Sequence, residues 1–129
     1  MTTADGRLRE PPRMRFAGAE RKFDLAEAFE ALPSESILRH GHIQKTLYKH
    51  GPMTTAVFSI TAGEGLDRHE LDGEAIIQVN SGHIEVHTPT ATHELTDNQI
   101  LLLDPKTPHD VKAVKDTNMV MTVVLEGNR

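Results

Sequence analysis

From Ile37 to Leu125 the sequence is a series of short segments in which polar and apolar residues alternate, separated by glycine, proline, asparagine and aspartate. A period of two is typical of β-strands with one buried face. The turn signals recur at roughly the 8–12-residue spacing of sandwiches and barrels. No helical period follows residue 33, so the sequence predicts an all-β domain. The predicted strands are Ile37–Tyr48, Thr54–Thr61, Ala75–Asn80, Gly82–Thr88, Thr90–Leu95, Gln99–Asp104, His109–Val114 and Met119–Leu125.

One short helix is predicted before the strands. Asp24 followed by Glu27 resembles a capping box, in which side chains satisfy the first backbone N–H groups of a helix. Because Pro33 cannot continue a helix, we expect the helix to cover about 24–32. Its apolar face would pack on the outside of the domain (Leu25, Ala26, Ala28, Phe29 and Leu32). Residues 1–22 are predicted to be a flexible tail, and 23–129 to form one domain.

Charge is distributed unevenly along the chain. The 129 residues carry a formal net charge of −5, but residues 1–22 contain six basic and three acidic side chains, which leaves +3 in the tail and −8 in the remainder. An acidic body argues against a nucleic-acid-binding surface on the folded domain. We therefore expect no nucleic-acid partner.

The composition excludes several other classes of protein. There is no cysteine, which rules out disulfides, thiolate metal sites and a cysteine nucleophile. No apolar run approaches the length that spans a bilayer, and the first residues lack the apolar segment of a secretory signal. The sequence therefore predicts a cytoplasmic protein with no membrane partner. Nucleophile-elbow, Walker-type and dinucleotide-binding motifs are also missing from the sequence.

Two histidines far apart in sequence each stand shortly after a turn signal. His69 follows Gly63-Glu-Gly-Leu-Asp-Arg, and His109 follows Lys106-Thr-Pro. If the two histidines lie on different strands that meet, they form a single chemical site. On a strand, His40 and His42 would share one face in a geometry able to chelate. The remaining six histidines are nevertheless interpreted as surface residues (His40, His42, His50, His83, His87 and His93).

The stretch from Gly63 to His109 resembles the cupin superfamily. The first cupin motif has the form G-x5-H-x-H-x3-E-x6-G, and Gly63, His69 and Gly82 stand in register with it. Leu71 replaces its second histidine and Ala75 its glutamate. The second motif, G-x5-P-x-G-x-P-H, retains its spacing and ends in Pro108-His109, with Asn98, Asp104 and Lys106 at its glycine, proline and glycine positions. The sequence is most similar to small single-domain, RmlC-like cupins with a degenerate first motif.

This resemblance implies a double-stranded β-helix, the cupin jelly-roll barrel, with the short helix added at its N-terminal side. Cupin metal sites normally present three histidines and one carboxylate, of which only His69 and His109 are retained here. Imidazole suits Fe, Mn, Ni, Cu, Zn or Co. Two histidines would hold such an ion weakly, with water or a ligand completing its shell. Glu74 is a candidate third ligand if a β-bulge turns its side chain inward; without a bulge it points away.

The expected pocket is largely apolar. Strand alternation makes Leu71, Ala75, Ile77 and Val79 the inward neighbours of His69. Three interpretations of the histidine pair stay open: contact with a metal, contact with a ligand without a metal, and neutral core residues bonded to each other or to water.

Two functions follow from the resemblance. The first is a small cupin barrel that binds a small molecule, with or without a weakly held divalent metal at His69 and His109. The alternative is a metal-dependent enzyme of the dioxygenase, isomerase or decarboxylase type. Fold alone does not choose between them, and neither charge nor motif selects a substrate. A homodimer is expected, with the Ile37–Tyr48 strand as the candidate edge for pairing.

Overall fold

The computed structural model describes residues 20–32 and 42–126. Three sequence-based predictions lie wholly or partly outside this range: the tail up to residue 19, the helix stop at Pro33, and residues 37–41 of the first strand. The described residues form helix α1 (Leu25–Glu30) and strands β1 (His42–His50), β2 (Met53–Ile60), β3 (Gly65–His69), β4 (Gly73–Ser81), β5 (His83–His87), β6 (Thr92–Thr96), β7 (Ile100–Leu103), β8 (His109–Ala113) and β9 (Thr117–Leu125). In the described ranges there is no helix of the length and apolar character that a membrane crossing requires.

The strands form two antiparallel sheets. One has the order β1-β2-β9-β4-β7, and the other has the order β3-β8-β5-β6. Neighbouring strands in each sheet are mostly distant in sequence, as β9 lies between β2 and β4, and β8 between β3 and β5. The sheets face each other as a jelly roll, which confirms the predicted all-β fold.

The core lies between the two sheets. Its residues are the inward positions of alternating strands, and they come from β2 and every strand from β4 to β9: Ala56, Phe58, Ile60, Ala75, Ile77, Val79, Ile84, Val86, Leu95, Leu103, Val111, Ala113, Met119 and Met121. Alternation leaves every second residue of these strands on the outer faces. The outer-face positions of β5 include His83 and His87. His83 is hydrogen-bonded there to Glu94, and His87 to Glu85 and Asp110.

Helix α1 covers part of the outer face of the five-stranded sheet. Asp24 is its N-cap, and the Asp24 carboxylate accepts a hydrogen bond from the backbone N–H of Glu27 at 3.3 Å. Phe29 is the buried residue of the helix and packs with Val57 and Val120 of the sheet. The predicted helix start and its outside position are therefore confirmed, although the regular helix ends at Glu30, two residues before the predicted end.

Strand β3 was not among the predicted strands. Its sequence, Gly-Leu-Asp-Arg-His, lacks a clear alternation, and the pairing with β8 contains a register shift between Leu66 and His69. The strand pairs with β8, and its backbone lies very close to that strand. Glycine is needed at position 65 because a Cβ there would overlap the carbonyl oxygen of Val111. Two backbone hydrogen bonds of 2.8 Å, from Gly63 to Ala113 and from Ala113 to Glu64, fix the entry into the strand.

Two non-glycine residues have left-handed backbone conformations. Asn98 has φ = 67° and Lys106 has φ = 64°, and both occupy positions where the second cupin motif has glycine. Asparagine tolerates this region because its short polar side chain can bond locally, whereas lysine is strained there. The backbone at Lys106 therefore has a conformation that favours glycine.

We expect Lys106→Gly to raise the free energy of unfolding by about 1 kcal/mol, because glycine removes the left-handed strain. The lost ion pair to Asp72 is 3.6 Å long and exposed, so it offsets little of the gain. Urea denaturation measures the change. Lys115→Gly is the control: Lys115 is exposed and lacks a positive φ, so this change should destabilise. A loss of stability in both variants would contradict the strain argument.

Candidate site at the His69–His109 pair

The two histidines singled out in the sequence are in contact across strands β3 and β8. His69 and His109 are direct partners in the antiparallel register, so their side chains share one face. Their ring centroids lie 4.4 Å apart with an angle of 57° between the planes. His109 is 1% exposed, whereas His69 is half-buried and lines an open groove. The pair therefore joins the groove to the barrel interior.

Each ring is held by its own backbone. The Nδ1 atom of His69 lies 2.8 Å from the carbonyl oxygen of Asp67, and Nδ1 of His109 lies 3.0 Å from that of Thr107. A carbonyl oxygen only accepts, so both Nδ1 atoms carry a proton and donate it. In the neutral ring Nε2 is then a lone-pair acceptor. Histidines that ligate metals are oriented in this way by their other ring nitrogen.

The Nε2 atom of His109 is buried and has no hydrogen-bond partner. Among the described residues, only one other buried side-chain nitrogen or oxygen also lacks a hydrogen-bond partner, namely Nδ1 of His42. Leaving such an atom unpaired costs about 1–3 kcal/mol. The other buried polar residue, Thr117, forms hydrogen bonds with the backbone of His83 and Lys115. The unpaired nitrogen of His109 is therefore an exception that points to a bound group.

Burial lowers the pKa of His109, because the protonated ring carries a charge that is disfavoured where water is excluded. The Thr107 carbonyl acts in the opposite direction, and the neighbouring His69 adds to the lowering. At neutral pH this ring is consequently uncharged, the form that can bind a metal or accept a hydrogen bond.

This shift predicts a pH dependence of stability. The unfolded chain binds the His109 proton at the ordinary value of 6.5, whereas the folded protein binds it only at lower pH. Between these two values the unfolded state holds more protons, so the free energy of unfolding should fall as pH decreases below 6.5. Chemical denaturation in chelator would measure this slope.

The matched variant for the pH series is His109→Leu, in which the His109 contribution to the slope should vanish. His87 acts in the opposite direction, since the hydrogen bond from its ring to Asp110 and, to a smaller extent, the one to Glu85 raise its pKa. Stability contributed by His87 is lost as pH rises above 6.5, so the two effects are separable. Equal slopes in the wild type and in His109→Leu would contradict the assignment.

The groove beside His69 has a volume of about 890 Å³. Its lining comes from β1 and β2, the end of β9, and β3 with the segment before it; strand β8 adds its edge. The lining residues include His42, Gln44, Thr46, Phe58, Leu66, His69, Leu71, Met121 and Val123. Polar and charged residues contribute to the lining as much as apolar ones, so the expectation of a largely apolar pocket was wrong for this groove. The reason is that the inward apolar residues of β4 are packed in the core.

Of the other residues of the predicted pocket, one lines the groove and three lie in the core. Leu71 lines the groove. Ala75, Ile77 and Val79 are at most 2% exposed and belong to the packed core. These three residues are part of the core and are not part of the groove lining.

Glu74 lies away from the histidine pair. Its side chain is exposed, while its neighbours Gly73 and Ala75 are buried, and it pairs in regular register with Val124. The bulge that strand β4 takes part in lies opposite Asn118 and Met119, at the far end of the strand. Across residues 20–32 and 42–126, no group of three or more His, Cys, Asp or Glu side chains has the geometry to hold a metal ion. The described residues therefore fit two-ligand contact with an ion and do not fit a three- or four-ligand centre.

His42, which we expected to be a surface residue, lies in the groove lining. The signal was the period of β1: His42, Gln44 and Thr46 are spaced by two residues and line the same groove. A polar row on an inward strand face was not distinguished from a solvent-facing row, because the sequence does not show which face the other strands cover.

A family comparison connects this geometry to known proteins. Residues 51–125, more than half of the chain, match the model of the AraC-like ligand binding domain. The chain is a member of this family. The AraC-like ligand-binding domain is cupin-like, so the matched residues form a cupin domain, as the two motifs indicated. No curated protein matches the sequence.

Solved structures support the same fold. A conserved protein of unknown function from Streptococcus pyogenes is 24% identical, with 70% of this chain and 79% of that chain covered and a TM-score of 0.64. An RmlC-like cupin from Shewanella frigidimarina is 14% identical, with 66% and 77% covered and a TM-score of 0.62. Salicylate 1,2-dioxygenase from Pseudoaminobacter salicylatoxidans is 18% identical, with 79% of this chain and 34% of that chain covered and a TM-score of 0.67. At these identities the similarity establishes the cupin fold alone.

Proposed function

We propose that this AraC-like ligand-binding domain holds a small molecule in the groove, with His69 and His109 as the polar contact. The unpaired, buried Nε2 of His109 carries the proposal, because a bound group would satisfy it. His69 lines the groove, whereas His109 is not among the lining residues and contacts the groove through the His69 ring. His69 also offers a second Nε2 acceptor. Apolar lining residues such as Leu71 and Met121 would bury the body of the ligand.

A divalent ion is compatible with the same pair but would be weakly held. The Nε2 atoms of His69 and His109 would bind it, and imidazole suits Fe, Mn, Ni, Cu, Zn and Co. Such an ion would supply a positive charge that attracts an oxygen of the ligand. With two protein ligands, water or the ligand itself would complete the shell, so ion and ligand should bind cooperatively.

The experiment is a Zn²⁺ titration of untagged, chelator-treated protein by calorimetry. We expect weak binding in the wild type, and binding about 10–100-fold weaker in His69→Ala and in His109→Ala. His83→Ala is the control, because His83 lies on the outer face and pairs with Glu94; its affinity should equal that of the wild type. Equal Zn²⁺ binding in all four proteins would show that the His69–His109 pair does not hold an ion.

Three further predictions from the sequence are retained as proposals. The acidic body supports the absence of a nucleic-acid partner, and the composition supports a cytoplasmic location. A homodimer is proposed because β1 forms a free edge of the five-stranded sheet in the described part of the chain. Sedimentation equilibrium would distinguish the dimer from a monomer.

A further inference from the structure

His42 lies in the groove wall formed by β1 and β2. The residue pairs with Ile60 in the register of the two strands, and its ring lies 6.2 Å from the ring of Phe58. Its Nδ1 atom is buried without a partner, although the ring lines the groove. The ring is therefore turned so that Nδ1 faces protein and Nε2 faces the groove.

This orientation determines which nitrogen carries the proton of the neutral ring. A proton on Nδ1 would be a buried donor with no acceptor, whereas a proton on Nε2 reaches the groove and its water. The Nε2–H form of His42 is consequently favoured. His69 and His109 have the opposite form, since their Nδ1 protons are donated to Asp67 and Thr107. The groove thus has a donor on the β1 wall and an acceptor at His69.

We propose that His42 is a specificity-determining residue that donates its Nε2–H to an oxygen acceptor of the ligand. The inference rests on the proposed ligand-binding function of the groove and adds the chemistry of one end of the ligand. That end carries a carbonyl or carboxylate oxygen. A second group of the ligand donates to the Nε2 acceptors of the histidine pair, and the remainder is apolar to match Phe58, Met121 and Val123.

Charge alone would select a different ligand. The charged residues of the lining are three acids and two bases: Glu64, Asp67, Asp110, Arg68 and Lys112. Electrostatic attraction would therefore slightly favour a cation. Binding of a carboxylate against this field requires a placed donor, and the Nε2–H of His42 is such a donor on the β1 wall. This contrast separates hydrogen-bond recognition from the general field of the groove.

Cyclohexanecarboxylate and cyclohexylmethylammonium are suitable probes, because one has only acceptors and the other only donors on the same ring. Histidine ring ¹⁵N–¹H spectra at about pH 8, where ordinary histidines are neutral, report tautomer and binding together. We expect Nε2–H signals for His42 and Nδ1–H signals for His69 and His109. The carboxylate should shift the His42 ring, whereas the ammonium compound, which can donate to a lone pair, should shift the rings of His69 and His109.

Variants of His42 test the donor directly. His42→Leu should bind the carboxylate about tenfold more weakly, the loss of one hydrogen bond to a charged group. His42→Gln should retain most of the affinity, because the glutamine amide can donate from a similar position. His50→Gln is the control: His50 is exposed at the end of the same strand and should bind as the wild type does.

Several results would overturn the proposal. These are an Nδ1–H tautomer at His42, no shift of the His42 ring with the carboxylate, or unchanged carboxylate binding in His42→Leu. Shifts confined to His69 and His109 would leave the proposed function standing and remove the role of His42. An absence of shifts at all three rings with both probes would contradict the proposed function as well.

Discussion

Replacing Gly65 with alanine is expected to lower the free energy of unfolding by about 3 kcal/mol or more. An added methyl group would overlap the Val111 carbonyl, which is backbone and cannot rotate away. Relief requires β3 to move from β8, and His69 sits at the other end of β3 opposite His109. The variant should therefore also lose most of its Zn²⁺ affinity. Urea denaturation and calorimetry measure the two losses.

Gly51→Asn is the control for Gly65→Ala. Gly51 has φ = 60° in the turn between β1 and β2, and a Cβ there would meet no atom within 4 Å. Asparagine tolerates this conformation, so we expect a change in unfolding free energy below about 1 kcal/mol. Gly65→Ala as stable as the wild type would show that β3 is not held close to β8.

His109→Leu should abolish binding in the groove and still yield a protein that is more stable than the wild type by about 1 kcal/mol. Leucine has a similar volume and fills the same buried position without an unpaired nitrogen. The gain is limited by the lost hydrogen bond to Thr107. Such an increase in stability with a loss of binding is typical of a residue retained for function.

Thr117→Val is the matched comparison for His109→Leu. Thr117 is also a buried polar residue, 2% exposed, but its hydroxyl bonds to the His83 and Lys115 backbone. Removing these bonds should destabilise the protein by about 1–3 kcal/mol and leave Zn²⁺ binding unchanged. If His109→Leu destabilises the protein as much as Thr117→Val does, Nε2 of His109 must have a partner within the barrel.

Much of the fold was predictable because alternation and turn residues act locally. The helix start at Asp24, the outward side of β5 and most strand positions follow from short-range patterns. Strand β3 was missed because it depends on pairing with β8, a partner more than forty residues away. Its one local sign was Gly65, which the sequence presents as a turn residue and the structure uses for close backbone approach.

The candidate site was predictable in part. The register of two cupin motifs indicated that His69 and His109 belong together, and their rings are in contact. The motifs did not indicate which residues would be buried in the core and which would line the groove. His42 stands outside both motifs, and its place in the groove depends on β2 lying beside it. Alternation alone assigned Ala75, Ile77 and Val79 to the pocket, but their strand lies deep in the sheet and faces the core.

A high-resolution crystal structure of the untreated protein tests the central claim most directly. We expect electron density for a non-protein atom next to Nε2 of His109, at about 2.0–2.2 Å for a metal or about 2.7–3.2 Å for a hydrogen-bonded ligand or water. The Nδ1 atoms of His69 and His109 should still face the carbonyls of Asp67 and Thr107. Imidazole rings that point apart, or an Nε2 of His109 bonded to the protein itself, would contradict it.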